Sequence, residues 1–115
     1  MERRNRLRRS SDILSVRQEG RSWPHSFLVL IAHPNGIAVS RIGVVASRKV
    51  GTAVARNRAK RLLREAARHT LPDLTPGWDV ILIARSGILR VGEAQVQDAL
   101  RLLASQAGLL TQKNE

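Results

Sequence analysis

The chain has no cysteine and no tyrosine, and its aromatic residues are Phe27, Trp23 and Trp78. Without cysteine there is no disulfide framework, no thiolate metal site and no thiol nucleophile. So few rings argue against a reader of single-stranded RNA that works mainly by base stacking. Acidic residues are also scarce, nine Asp and Glu against twenty Lys and Arg, and they are scattered where two-metal nuclease chemistry needs them clustered. No apolar run approaches the roughly 18–20 residues of a membrane span. No apolar h-region follows the N-terminal arginines as a secretory signal requires. These absences lead to the expectation of a soluble, cytoplasmic protein.

What is present fits one domain: 115 residues, 43% of them hydrophobic, enough for a single core. The formal charge of +11 and an isoelectric point near 11.8 are the electrostatic footprint of a nucleic-acid partner. The charge is unevenly placed. Residues 1–22 hold seven Arg against three acids, and residues 23–40 hold no charge. Residues 41–68 hold nine Lys and Arg against Glu65 alone. From residue 69 onward four cations face five acids. The whole excess therefore lies in the first 68 residues, and the remainder reads as support for the fold.

Periodicity predicts a short helix over residues 11–17, capped by Ser10 or Ser11 and ended by Gly20. The apolar run of residues 27–32 reads as a buried strand bounded by Pro34-Asn35-Gly36. Residues 42–46 read as its hairpin partner, which residues 37–40 extend or supplement with a short strand. Residues 79–84 form a further strand. Helical spacing recurs from Thr52, a candidate N-cap, to about His69, and from Glu93 to about Gly108. The elements imply an α+β layer, helices packed on one sheet.

At about 100° per residue, the helix beginning at Thr52 divides into two faces. Ala55, Ala59, Leu62, Leu63, Ala66 and Ala67 form an apolar stripe. Asn57, Lys60, Arg61, Arg64 and Arg68 fall opposite it, with Arg56 and Arg58 at its borders. A solvated helix face normally mixes signs, since i,i+4 acid–base pairs support the helix, and here Glu65 is the only acid available. A surface this one-sided predicts phosphate binding with strong salt dependence. Seventeen of the twenty cations are arginine, whose planar fork suits bidentate phosphate contact and base stacking.

The stretch Arg41-Ile-Gly-Val-Val-Ala-Ser-Arg-Lys-Val-Gly51, continuing Thr-Ala-Val-Ala-Arg56-Asn57-Arg58-Ala-Lys60-Arg61-Leu-Leu-Arg64-Glu65, resembles the protein component of bacterial ribonuclease P. The signature is Arg-Asn-Arg on a helix, then Lys-Arg and a further Arg, preceded by a Gly-x-x-x-Ser-basic-basic-x-Gly segment. Arg4-Asn5-Arg6-Leu7 and the segment from Trp78 to Arg85 also resemble the family, and the likeness fades after about residue 90. The resemblance implies an αβββαβα sandwich, like the second domain of ribosomal protein S5, with a left-handed βαβ crossover. Sequence rules alone favour a right-handed one. It implies a non-catalytic protein subunit that assists a catalytic RNA in endonucleolytic removal of the 5′ leader from precursor tRNA. Chemistry would belong to that RNA and its Mg²⁺ ions, with no catalytic or metal-binding residue on the protein. Arg48, Lys49, Arg56, Asn57, Arg58, Lys60, Arg61 and Arg64 would face the catalytic RNA, the surface that the charge pattern also marks, with Arg68 continuing it. Gly51 fits a turn of positive φ, a close approach to phosphate, or a plain turn before the helix.

The family also contacts the leader of the precursor tRNA through a separate cleft, usually with a Phe-x-x-Val-Phe arrangement on the first helix. This chain has Ile13, Val16 and Arg17 there. Arg17 retains a guanidinium that can stack on a base. The strand positions assigned to the cleft are Leu28 and Leu30, with a plain core role left open. Leader contacts are therefore expected to be more electrostatic than in relatives with rings. His25, His33 and His69 lie too far apart in sequence for a triad or metal site. Trp23 and Trp78 read as anchors at the edge of the core, or as RNA-stacking residues. Residues 1–9 read as a basic tail that orders on RNA contact. Two rivals stand beside the family reading. A basic structural RNA-binder of ribosomal or assembly type explains the charge but not the signature. A protein-only nuclease lacks clustered carboxylates.

Overall fold

The computed structural model describes residues 1–111. A 3-10 turn at Arg3–Asn5 leads to helix α1 (Ser10–Glu19), then strands β1 (Arg21–Pro24), β2 (Leu28–Pro34) and β3 (Arg41–Val45). After a 3-10 turn at Arg48–Val50 come α2 (Ala53–Thr70), β4 (Trp78–Ala84) and α3 (Glu93–Gln106). The order is αβββαβα, as the resemblance implies.

The four strands lie in the order β1-β2-β4-β3. β2 pairs antiparallel with both β1 and β4, and β3 pairs parallel with β4. Residues 42–45 are thus not the hairpin partner of β2, because β4 lies between them. β2 and β4 carry the longest apolar runs, so the two central places bury more than β3 would there. Residues 37–40 add no strand. Asn35 closes that turn instead, donating from Nδ2 to the Val39 carbonyl at 3.0 Å and accepting from the Ile37 N–H at 2.9 Å. The true partner of β2 on its outer side is β1, a four-residue, mostly exposed strand with no apolar alternation to announce it.

The period of two along each strand divides the core between the faces of the sheet. Leu28, Leu30, Ile42, Val80, Leu82 and Ala84 meet the apolar sides of α2 and α3. On the opposite face Ile31 and Ile81 meet Val16 of α1 and Leu7, with Ile13, Val29, Val45 and Ile83 around them. Trp23 and Trp78 are half-buried against the edge of the larger cluster, and Arg21 lies over the Trp23 ring at 5.6 Å.

Helix ends follow their local chemistry. Thr52 caps α2, its Oγ1 accepting from the Ala55 N–H at 3.2 Å. α1 starts at Ser10 with Arg9 in the capping position and no side-chain cap, so neither Ser10 nor Ser11 fills that role. Gly20 ends α1, its N–H donating to the Val16 carbonyl at 2.8 Å. Residues 3–7, read from the sequence as part of a basic tail, lie along the outer edge of β3. Arg6 pairs with Ile42 as a parallel bridge, and the Leu7 N–H donates to the Ile42 carbonyl at 3.0 Å. Gly43 permits this approach, since a Cβ there would lie 2.8 Å from the Leu7 carbonyl oxygen.

Candidate RNA interface

The basic surface starts where β3 ends. Val50 is buried and anchors the 3-10 turn, while Arg48 and Lys49 stay exposed. Ser47 Oγ accepts from the Lys49 N–H at 3.3 Å and holds the turn's entry. Gly51 ends the turn at φ 146°, in the region that favours glycine. The positive-φ alternative is therefore the one the backbone adopts.

Along α2, Asn57, Arg58, Arg61, Arg64 and Arg68 are exposed, and Lys60 is half-exposed. Arg56 is half-buried at the border of the apolar stripe. Its Nε is enclosed and has no hydrogen-bond partner among the described residues. Arg58 Nη1 reaches the Leu89 carbonyl at 3.4 Å, a long contact that leaves most of its fork free. Arg68 differs from the rest, since its guanidinium pairs with the Glu65 carboxylate. That hydrogen bond holds the Glu65 carboxyl below its ordinary pKa and pushes the Arg68 guanidinium further up. Arg41, counted with this stretch by sequence, is turned away to a buried Asp79.

A groove of about 970 Å³ opens beside the turn before α2. Its floor includes Val45 and Ile83, which are register partners on the parallel strands. Arg17 of α1, Lys49 and Arg85 bring three cations to it, and no carboxylate lines it among the described residues. Arg17, one of the residues assigned to the cleft from the sequence, lines this groove. Ile13 does not, and lines a different hollow beside Leu7 and Ile42. Leu28 and Leu30 are 0% and 1% exposed and face α2 and α3. The alternation of strand side chains puts them on the wrong face of the sheet for any cleft beside α1. The β2 residues that pack on the α1 side of the sheet are their odd-numbered neighbours Val29 and Ile31. Arg85, Val45 and His25 also line this groove and were not assigned to a cleft from the sequence. The parallel pairing of β3 and β4, which brings their ends together, was the signal needed.

Among the described residues no three His, Asp or Glu side chains come together in a metal-binding arrangement. The histidines stay apart: His25 accepts from the Phe27 N–H at 3.1 Å, His33 lies 3.5 Å from Glu19, and His69 3.3 Å from Glu65. No helix among the described residues is long and apolar enough to cross a membrane.

The family model of ribonuclease P matches residues 1–108. The chain is 44% identical to the ribonuclease P protein component of Herpetosiphon aurantiacus, covering 95% of this chain and 89% of that one. It is 39% identical to that of Dehalococcoides mccartyi, covering 100% and 94%. The fold superposes on the solved RNase P protein of Thermotoga maritima with a TM-score of 0.77 at 34% identity, covering 87% of this chain and 96% of that one. For the Staphylococcus aureus RNase P protein the TM-score is 0.82 at 27% identity, over 93% and 98%. With this match running the length of the fold and the basic helix at its centre, the chain belongs to the ribonuclease P protein family, the RNA-binding protein subunit of the ribonucleoprotein endonuclease that removes the 5′ leader from precursor tRNA.

Proposed function

We propose that the exposed cations of α2 and the turn before it dock the catalytic RNA, while the groove beside that turn receives the single-stranded 5′ leader of precursor tRNA. One observation carries the division of labour. Lys49 lies both on the basic turn and in the groove with Arg17 and Arg85, so a leader strand in the groove meets cations without any carboxylate among the described residues. The groove is floored by aliphatic side chains, so it favours phosphate contact over stacking.

The Mg²⁺ ions of the cleavage step belong, in this proposal, to the RNA. The donor set on the protein supports it. Glu2, Glu65, Asp73 and Asp79 are each held in an ion pair with an arginine, Glu19 lies 3.5 Å from His33, and Asp12, Glu93 and Asp98 join no group of three ligating side chains among the described residues. Carboxylates so dispersed do not fit a divalent site. The protein acts in the cytoplasm, where its RNA partner and precursor tRNA are found together.

The test is holoenzyme affinity for precursor tRNA with and without its leader, at low Mg²⁺, with and without the protein. The expected result is that the protein tightens binding of the leader-bearing substrate and that Arg17→Ala with Arg85→Ala removes most of that gain. An unchanged gain in this double variant would overturn the groove assignment.

A further inference from the structure

Among the described residues, the groove proposed for the 5′ leader is lined by one planar ring, that of His25. His25 stands in the turn between β1 and β2, and Pro24 and Ser26 on either side of it also line the groove. Several bonds hold this turn. The His25 N–H donates to the Leu28 carbonyl at 2.9 Å, and the Arg85 N–H donates to the Phe27 carbonyl at 3.0 Å, which ties the turn to the end of β4. The imidazole is fixed as well. Its Nδ1 accepts from the Phe27 N–H at 3.1 Å, and the ring leans on the Phe27 ring with centroids 4.8 Å apart and planes at 57°.

Closing the turn does not by itself call for histidine. An asparagine there would serve equally, because its side-chain oxygen accepts from the N–H two residues on. What histidine adds is a flat ring, half-buried and open to the groove. The rest of the lining cannot supply that surface. Arg17, Lys49 and Arg85 offer charge to phosphates, which every nucleotide carries, while Val45, Val50 and Ile83 offer branched aliphatic floor. A base packs best on a planar face. A ring already held by Phe27 and by its own hydrogen bond also loses little freedom when a base settles on it.

We infer that His25 is the stacking residue of this groove: one base of the leader packs on its ring while neighbouring phosphates meet the cations. This role rests on the leader groove of the proposed function. It makes binding sensitive to the base at one leader position, and leaves the other nucleotides in the groove held by charge.

The experiment measures holoenzyme affinity, at low Mg²⁺, for precursor tRNAs with a single abasic nucleotide at each leader position in turn. Mature tRNA is the reference. With the unaltered protein, one position should show a loss of about five- to tenfold that depends on His25. His25→Asn keeps the acceptor for the turn, so its melting temperature should stay near that of the unaltered protein. It should bind the intact leader about five- to tenfold more weakly, lose nothing further at that one position, and bind mature tRNA as before. His25→Phe keeps a ring but not the acceptor, and should retain most of the dependence on that position. The reverse pattern, with His25→Asn silent and His25→Phe impaired, would reduce His25 to a turn closure and overturn its stacking role. Arg17→Ala with Arg85→Ala separates this role from the groove itself. If that double variant removes the gain from the leader while His25→Asn leaves it whole, the groove stands and the stacking role falls. If neither alters the gain, both fall together.

Discussion

The guanidinium of Arg41 and the carboxylate of Asp79 form a two-pronged ion pair, Nε to Oδ1 at 2.8 Å and Nη2 to Oδ2 at 2.7 Å. They face each other across the first register position of the parallel β3–β4 pair, and Asn35 donates to the same carboxylate at 2.9 Å. Asp79 is buried. One cation of the basic stretch therefore serves the sheet, tying together the turn after β2 and the starts of β3 and β4.

Removing either partner strands the other at the edge of the core. Asp79→Asn and Arg41→Met should each destabilise the fold by about 2–4 kcal/mol, read as a shift of the urea unfolding midpoint. RNA affinity of the folded protein should stay within about two-fold, since neither group faces the basic surface.

The opposite pattern is expected of Arg58 and Arg61. Both are exposed, so Arg58→Ala and Arg61→Ala should leave the melting temperature nearly unchanged. Each should lower RNA affinity and flatten its salt dependence by about one. Loss of stability with unchanged RNA affinity would remove these side chains from the interface.

Leu30→Ala tests which face of the sheet the leader groove occupies. Leu30 is enclosed against α2 and α3, so the change should cost about 2–5 kcal/mol of stability. Leader-dependent binding by the fraction that remains folded should be retained. Selective loss of that binding at full stability would place Leu30 in the groove after all.

Gly51→Ala forces a side chain onto a backbone at φ 146° and within 3.1 Å of the Ala55 Cβ. A cost of about 1–3 kcal/mol is expected. Because the turn carries Arg48 and Lys49, RNA affinity should fall together with stability, as calorimetry and filter binding on one preparation would reveal.

Acid titration reports on Glu65. Arg68 holds its carboxyl below the ordinary value, so the pair contributes above the unfolded carboxylate pKa. Its contribution is lost as pH falls through the lower folded value. Glu65→Gln should remove that part of the acid dependence while leaving stability near neutral pH almost unaltered, the pair being solvent-exposed. Carboxyl chemical shifts followed from pH 2 to 7 would detect it; a Glu65 midpoint at the ordinary value would contradict the pairing.

Much of this protein was legible from local patterns. The stripe of Ala59, Leu62, Leu63, Ala66 and Ala67 specified α2 and, by exclusion, the exposed cations opposite it, because helical period depends only on residues a few positions apart. Thr52 and Gly20 marked helix ends for the same reason: the groups they satisfy are their own neighbours. The apolar runs in β2 and β4 declared them strands, and the signature from Arg41 to Glu65 declared the family. Strand order was not legible in that way. Which strand pairs with which is decided by total burial across the sheet, and β4 displaced β3 from beside β2 because two apolar faces are better covered at the centre. The placing of Leu28 and Leu30 away from α1 rests on that unknown, since a strand's period of two says which residues share a face but not which face meets α1. Tertiary structure alone also took Arg41 out of the basic surface, to Asp79, and brought Arg6 and Arg8 to line one hollow with Arg64. The pairing of Arg68 with Glu65 is a local i,i+3 contact that helical spacing already allows, whereas a pair 38 residues apart depends on distances that chain separation does not encode.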